Sequence, residues 1–174
     1  LNVNFYSDGG LKITPLKVPL FLCPSDTRPD PNTTYAPTIF GRGNYVAGCD
    51  IHDVGRDGIS LDGGDPNTLE PAGNSADNNY IHHTGVYYKQ GVGVSCSGVG
   101  NRVSHNLIHD CYHQALLIGG NDQLVEYNIV HHTNLGSEDT GGLYMSSRNY
   151  TNRGTVIRHN VFHHIGGFGK SNSW

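Results

Sequence analysis

Five segments of the chain share one pattern of apolar and polar positions: NYVAGCDIHD (44–53), NSADNNYIHH (74–83), NRVSHNLIHD (101–110), QLVEYNIVHH (123–132) and TVIRHNVFHH (155–164). In each, an apolar residue is followed by His, which gives a column of His52, His82, His109, His131 and His163. These markers stand 30, 27, 22 and 32 residues apart. Units this short cannot bury an apolar face alone, so they must stack on one another. The shortest spacing, 22 residues, is too small for two packed helices and suits one turn of a coil of short strands. A second run follows each of the first four markers: GISLDG (58–63), GVSCSG (93–98), ALLIGG (115–120) and GLYMSS (142–147). These runs alternate and are edged by Gly, as short strands are.

Alternation assigns faces, because residues two apart on a strand share one side. Ile59, Val94, Leu116 and Leu143 form one inward column, and Leu61, Cys96, Ile118 and Met145 form the next. Ser60, Ser95, Leu117 and Tyr144 lie between them and point outward. Ile51, Ile81, Ile108, Val130 and Phe162 make a third inward column, and the marker histidines beside them point outward. One polar column is also in register: Asn79, Asn106, Asn128 and Asn160, with Cys49 in the first unit. At a bend, Asn bonds neighbouring backbone and tolerates unusual dihedrals, and stacked Asn side chains bond one another as a ladder. The pattern predicts an all-β chain, a parallel β-solenoid of about five rungs over 44–165.

Several phrases resemble a known family: CDIHDVGRDGISLDGGD, SGVGNRVSHNLIHDCYHQALLIGGND, VEYNIVHH, EDTGGLYM and RGTVIRHNVFHHIGG. Residues from about 41 to 169 look like the right-handed parallel β-helix proteins of the pectate-lyase-like superfamily, close to a bacterial subgroup of secreted carbohydrate-active proteins. The resemblance implies a right-handed β-helix, a polysaccharide or oligosaccharide partner, and a secreted, periplasmic or cell-surface location. That superfamily holds lyases, hydrolases and epimerases, so the fold is better determined than the reaction. The phrase VPLFLCPSD followed by NYVAG resembles a second group, the pseudopilin-like secreted proteins of some environmental bacteria, over residues 1–48.

Composition agrees with a solenoid. Charged residues are 15%, and the 24 Gly among 174 residues suit tight turns. A net charge of −4 without a basic patch argues against nucleic acid. No stretch is long and apolar enough to span a membrane, and LNVNFYSDGG lacks the charge and apolar core of a signal peptide. Residues 1–40 are Pro-rich and stand outside the repeat as an irregular segment. Residues 41–174 form the β-helix domain, expected to be monomeric and part of a longer solenoid, because neither end carries an evident cap. Of the four Cys, Cys49, Cys96 and Cys111 fall in repeat columns as small buried thiols, and Cys23 lies outside. All are expected to be free, although connectivity is not readable from sequence.

With the inward columns filled by core residues, chemistry must use outward side chains and inserted loops. Insertions at 62–73, 84–90 and 134–140 flank the second-run strands and are expected to rise on the same side of the coil and wall a groove. The candidates near it are Asp57, Asp62, Asp65, His113, Glu138, Asp139, Tyr144 and Arg148. Asp139 aligns with Asp57, and His113 enters one rung earlier, about 4.8 Å away. Asp139, Glu138 and His113 are the catalytic candidates, and Tyr144, Arg148, Asp57, Asp62 and Asp65 the substrate-binding ones. The resemblance itself singles out His113, Asp139, Tyr144 and Arg148 as a recurring polar patch. Glycoside hydrolysis needs two carboxylates, which Asp62, Asp65, Glu138 and Asp139 can supply. Elimination from a uronic acid needs a base and a cation, which His113, Tyr144 and Arg148 can supply. The sequence reading favours hydrolysis over elimination, with a non-catalytic glycan-binding or structural solenoid as a third option. No cofactor is expected: the straight His column does not converge on a metal as zinc requires. Asp62, Asp65 and Glu70 offer only a weak set of oxygens for Ca²⁺.

Overall fold

The computed structural model describes residues 45–137, 140–145 and 149–166. Its first turn contains β1 (Tyr45–Ala47), β2 (Asp50–Val54) and β3 (Ile59–Leu61), and its second β4 (Ser75–Asp77), β5 (Tyr80–Thr84) and β6 (Val94–Cys96). The third has β7 (Arg102–Ser104), β8 (Leu107–His109) and β9 (Leu116–Ile118). The fourth has β10 (Leu124–Glu126), β11 (Ile129–Thr133) and β12 (Leu143–Met145), and the fifth β13 (Val156–Arg158) and β14 (Val161–Ile165). Each strand pairs in parallel with its counterpart in the next turn. Three sheets result, ordered β1-β4-β7-β10-β13, β2-β5-β8-β11-β14 and β3-β6-β9-β12. This is the expected coil of about five rungs. The segment before residue 45, with Cys23, lies outside the described residues.

The inward columns are the core. Ile81, Ile108 and Val130 are fully buried, as are Val94, Leu116 and Ile118. Burial fades over the last two described turns, where Met145 and Phe162 are partly uncovered. A fourth inward column was not among the expected ones: Val46, Ala76, Val103, Val125 and Ile157 align in the first sheet. Each of its strands carries a single inward residue, too little to show alternation.

The Asn column is a continuous hydrogen-bonded ladder. Asn106 Nδ2 donates to Asn128 Oδ1 at 2.9 Å, and Asn128 Nδ2 donates to Asn160 Oδ1 at 2.9 Å. Asn79 Nδ2 likewise donates to Asn106 Oδ1. Each Oδ1 also accepts the backbone N–H of the rung before, so the side chains close the corner between the first two sheets. The strained backbone sits one residue earlier than expected. Gly48, Asn78, His105, Tyr127 and His159 hold φ of 64°, 55°, 55°, 56° and 56°. Only Gly48 adopts that left-handed conformation without steric cost, and the ladder holds the other four in it. A second ladder fills the corner between the third and first sheets: Asn101 Oδ1 accepts from Asn74 N–H and Gln123 Oε1 from Asn101 N–H.

Cys96 and Cys111 are buried free thiols, with burial pushing them up to about 12 and about 11. Cys49 is a correction. It is free but exposed, because in the first turn its Sγ reaches only the Ala47 carbonyl instead of a ladder partner.

Candidate functional site

Two outward faces carry chemistry, and the first is the His face. A left-handed residue follows each marker: Asp53, His83, Asp110, His132 and His164, with φ between 49° and 53°. That kink turns two successive side chains outward and sends Val54, Thr84, Cys111, Thr133 and Ile165 back toward the core. The marker rings stack at 5.1, 5.2, 4.7 and 4.9 Å from His52 to His163. They point outward as expected, but the stack covers its inner members: the His109 side chain is only 12% exposed, against 50% for His52 at the end. Each marker Nδ1 bonds its neighbour. His52 and His109 bond Asp53 and Asp110, while His82, His131 and His163 face the Nδ1 of His83, His132 and His164 at 2.7, 2.7 and 2.6 Å. A His–His bond needs one neutral ring, since two protonated rings leave no acceptor.

The His face therefore resists acid poorly. Burial, followed by the charges of His109, His132 and His163, pushes His131 below its ordinary 6.5, with Asp110 opposing. A histidine lowered on folding contributes stability that is fully present above its unfolded value and is lost as pH falls through its lower folded value. His52 runs the other way, raised by its bond to Asp53. Two rings lowered by burial, His131 and His113, outweigh the one raised ring at the exposed end of the stack, so the melting temperature should fall as pH drops below about 6.5. His131→Asn should flatten that slope in scanning fluorimetry, and an unchanged slope would remove His131 as its source.

The second face is the outer surface of the β3-β6-β9-β12 sheet. Its floor is Ser60, Ser95, Leu117 and Tyr144, aligned by the strand register. Tyr144 is 40% exposed on this floor. The insertions do not rise on one side, as expected from sequence. Residues 62–73 leave the C-terminal end of β3, whereas 85–91 and 134–140 enter the N-terminal ends of β6 and β12. Parallel strands put all C-terminal ends on one edge, so the insertions flank the floor at both edges.

The wall at the N-terminal ends is aromatic and cationic. Tyr87 and Tyr88 are exposed in loop 85–91. Arg56 lies over the Tyr88 ring at 5.1 Å and Lys89 over the Tyr112 ring at 4.4 Å. Sequence reasoning passed over these residues, although YYK inside an insertion was a usable signal.

Of the expected site residues, Asp57 is a structural cap. It accepts the Val92 N–H at 3.0 Å and pairs with Arg56 Nε at 3.4 Å. The register aligns Asp57 with Val92, Gln114 and Gly141, not with Asp139. Asp62 accepts the Ser97 hydroxyl at 2.9 Å on the opposite edge. Asp65 accepts the Asn67 N–H within its own loop, and that bond holds its carboxyl low. Among the described residues no cluster of three metal-ligating side chains forms, so Asp62, Asp65 and Glu70 do not converge on a Ca²⁺ site. His113 is half-buried beside Tyr112; its Nδ1 is buried without a hydrogen-bond partner, and burial lowers its pKa.

Glu138, Asp139 and Arg148 lie outside the described residues. The residues on either side of the acidic pair are tied down: Ser137 Oγ donates to the Tyr112 carbonyl, and Thr140 Oγ1 to Gln114 Oε1 at 2.6 Å. Tyr112 and Gln114 are the chain neighbours of His113.

The model of the right-handed β-helix region matches residues 38–171. The chain belongs to the right-handed β-helix family. The match covers every described strand, and it fixes the handedness of the coil. No curated protein matches the chain, and no solved structure does. The right-handed coil determines which side chains face outward, but a β-helix by itself names no reaction.

Proposed function

We propose that this right-handed β-helix binds an extended glycan across the floor of the β3-β6-β9-β12 sheet and hydrolyses its glycosidic bonds. The observation that carries this reading is the two-walled floor, with Tyr144 on it and Tyr87, Tyr88, Arg56 and Lys89 in one wall. Sugar rings present apolar C–H faces to aromatic rings and hydroxyls to polar rims. Strands about 4.8 Å apart form a linear floor on which a chain of repeating sugars lies in register. A polymeric substrate suits a protein outside the cell, at a surface or in a secreted pool, and a floor built from one chain suits a monomer.

Hydrolysis is assigned to Glu138 and Asp139, two adjacent carboxylates whose flanking residues are anchored beside His113. Asp57, Asp62 and Asp65 are committed to backbone or hydroxyl partners and serve as scaffold. Asp139→Asn should reduce turnover by orders of magnitude with an unchanged melting temperature, read as reducing-end release from a polysaccharide panel. Unchanged turnover would remove Asp139 from catalysis.

Elimination is the second reading, favoured by one observation: burial lowers the His113 pKa, which keeps the ring a neutral base near pH 7. New ultraviolet absorbance from an unsaturated uronate, lost in His113→Gln, would select it. Binding with neither product would leave a glycan-binding solenoid.

A further inference from the structure

In the second, fourth and fifth turns the marker histidine is followed by another histidine. The left-handed backbone of that second residue brings the two Nδ1 atoms face to face, at 2.7, 2.7 and 2.6 Å. Among the described residues no three metal-ligating side chains converge, so the three or four protein ligands that zinc takes are not assembled. Two opposed imidazoles instead suit an ion that accepts two ligands on opposite sides. We infer that His82 and His83 form a two-coordinate site for a soft monovalent cation, copper(I) or silver(I), held linearly between the two Nδ1 atoms. The site shares no residue with the glycan floor.

Its surroundings single out the second turn. The His82 ring is stacked between those of His52 and His109 at 5.1 and 5.2 Å, and the Tyr80 ring packs at 4.6 Å. Asp50 Oδ1 lies 3.4 Å from His82 Nε2. That carboxylate favours the proton on Nε2 and leaves the His82 Nδ1 lone pair facing His83. His83 Nδ1–H then donates to it. On binding, that proton passes through water to His83 Nε2, both Nδ1 lone pairs go to the ion, and no net proton is released. A metal–imidazole bond is about 2 Å long, so a linear ion needs about 4 Å between the nitrogens. His82 is clamped, but His83 is exposed, and rotation of its ring supplies the difference.

The strand register places His83 between Asp53 of the first turn and Asp110 of the third. Asp53 is held below the usual carboxylate range by its bond to His52, and Asp110, against burial, by its bond to His109. A cation at His82 and His83 therefore sits between two carboxylates. The other two pairs neighbour each other, with His132 and His164 stacked at 4.9 Å, so cations in both would repel.

The test titrates silver(I), which needs no reductant, into the full chain by calorimetry in chloride-free buffer. Accessible thiols are alkylated first, because Cys49 is free and exposed. Wild type, His83→Asn and His132→Asn are compared, with zinc(II) as a second titrant; Asn tolerates the left-handed backbone at both positions. His83→Asn should weaken the tightest silver site by about a hundredfold or more, since it removes one of two ligands, and His132→Asn should leave that site intact. The imidazole nitrogen resonances of His82 and His83 should shift together with the first equivalent. An unchanged tightest site in His83→Asn, or equal losses in the two variants, overturns the assignment to the second turn. Zinc bound as tightly as silver overturns the two-coordinate site.

Discussion

Ile108→Asp should leave the chain unable to fold, read as loss of the β-sheet circular dichroism signal and of any cooperative melting transition. Ile108 is completely buried, aligned between Ile81 and Val130 in the middle of the coil. The substitution removes a large apolar side chain and places a carboxylate where no cation can reach it. Each of these changes costs several kcal/mol, against a total stability of about 5–15 kcal/mol. The next residue reports on the opposite face. His109→Ala should cost about 1 kcal/mol, more than a freely exposed position, because it breaks bonds to Asp110 and the Tyr80 hydroxyl and interrupts the imidazole stack. Equal destabilisation by the two variants would refute the assignment of faces.

Asn128→Ala should destabilise by about 4 kcal/mol, measured as a lower urea midpoint with an unchanged slope. Asn128 sits at the centre of the ladder, fully buried. Its Oδ1 accepts the backbone and side-chain N–H groups of Asn106, and its Nδ2 donates to Val103, Glu126 and Asn160. Alanine leaves several of those groups buried and unpaired, at about 1–3 kcal/mol each before relaxation. Asn79→Ala should cost less than half as much. Asn79 Oδ1 accepts only the exposed-side Cys49 N–H, because Cys49 continues no ladder. Equal costs at the two positions would mean that the ladder is a set of independent turns.

The coil was legible in the sequence because its cause is periodic. Ile81, Ile108 and Val130, or Asn106 and Asn128, repeat in register, and only stacking satisfies both columns at once. Val46, Ala76, Val103 and Val125 escaped notice because each strand of the first sheet carries a single inward position, too little to show alternation, whereas the equally short strands of the third sheet carry two. The left-handed positions escaped for a different reason. Gly48 and Asn78 favour that conformation, but His105 and Tyr127 do not signal it, so the strain belongs to the corner and not to a residue type. The site was legible in part. Tyr144 stands on the floor as the alternation required, and His113 is half-buried at the edge of the same sheet. An acid that caps a loop, as Asp57 and Asp65 do, has the same sequence signature as an acid awaiting a substrate. The two-sided arrangement of the insertions follows from strand polarity, which the sequence reading did not carry through to the loops.

Affinity electrophoresis of the full chain through gels containing neutral and uronic polysaccharides tests the functional account most directly. The floor variant Leu117→Arg and the His-face variant His83→Ala are run beside it. Leu117 lies between Ser95 and Tyr144 on the floor and is not part of the core, so the long cationic side chain should block the surface without unfolding the coil. The account predicts retardation of the wild type by at least one polysaccharide, its loss in Leu117→Arg at an unchanged melting temperature, and its persistence in His83→Ala. Retardation that survives Leu117→Arg and disappears in His83→Ala would place the glycan on the histidine face and contradict the account.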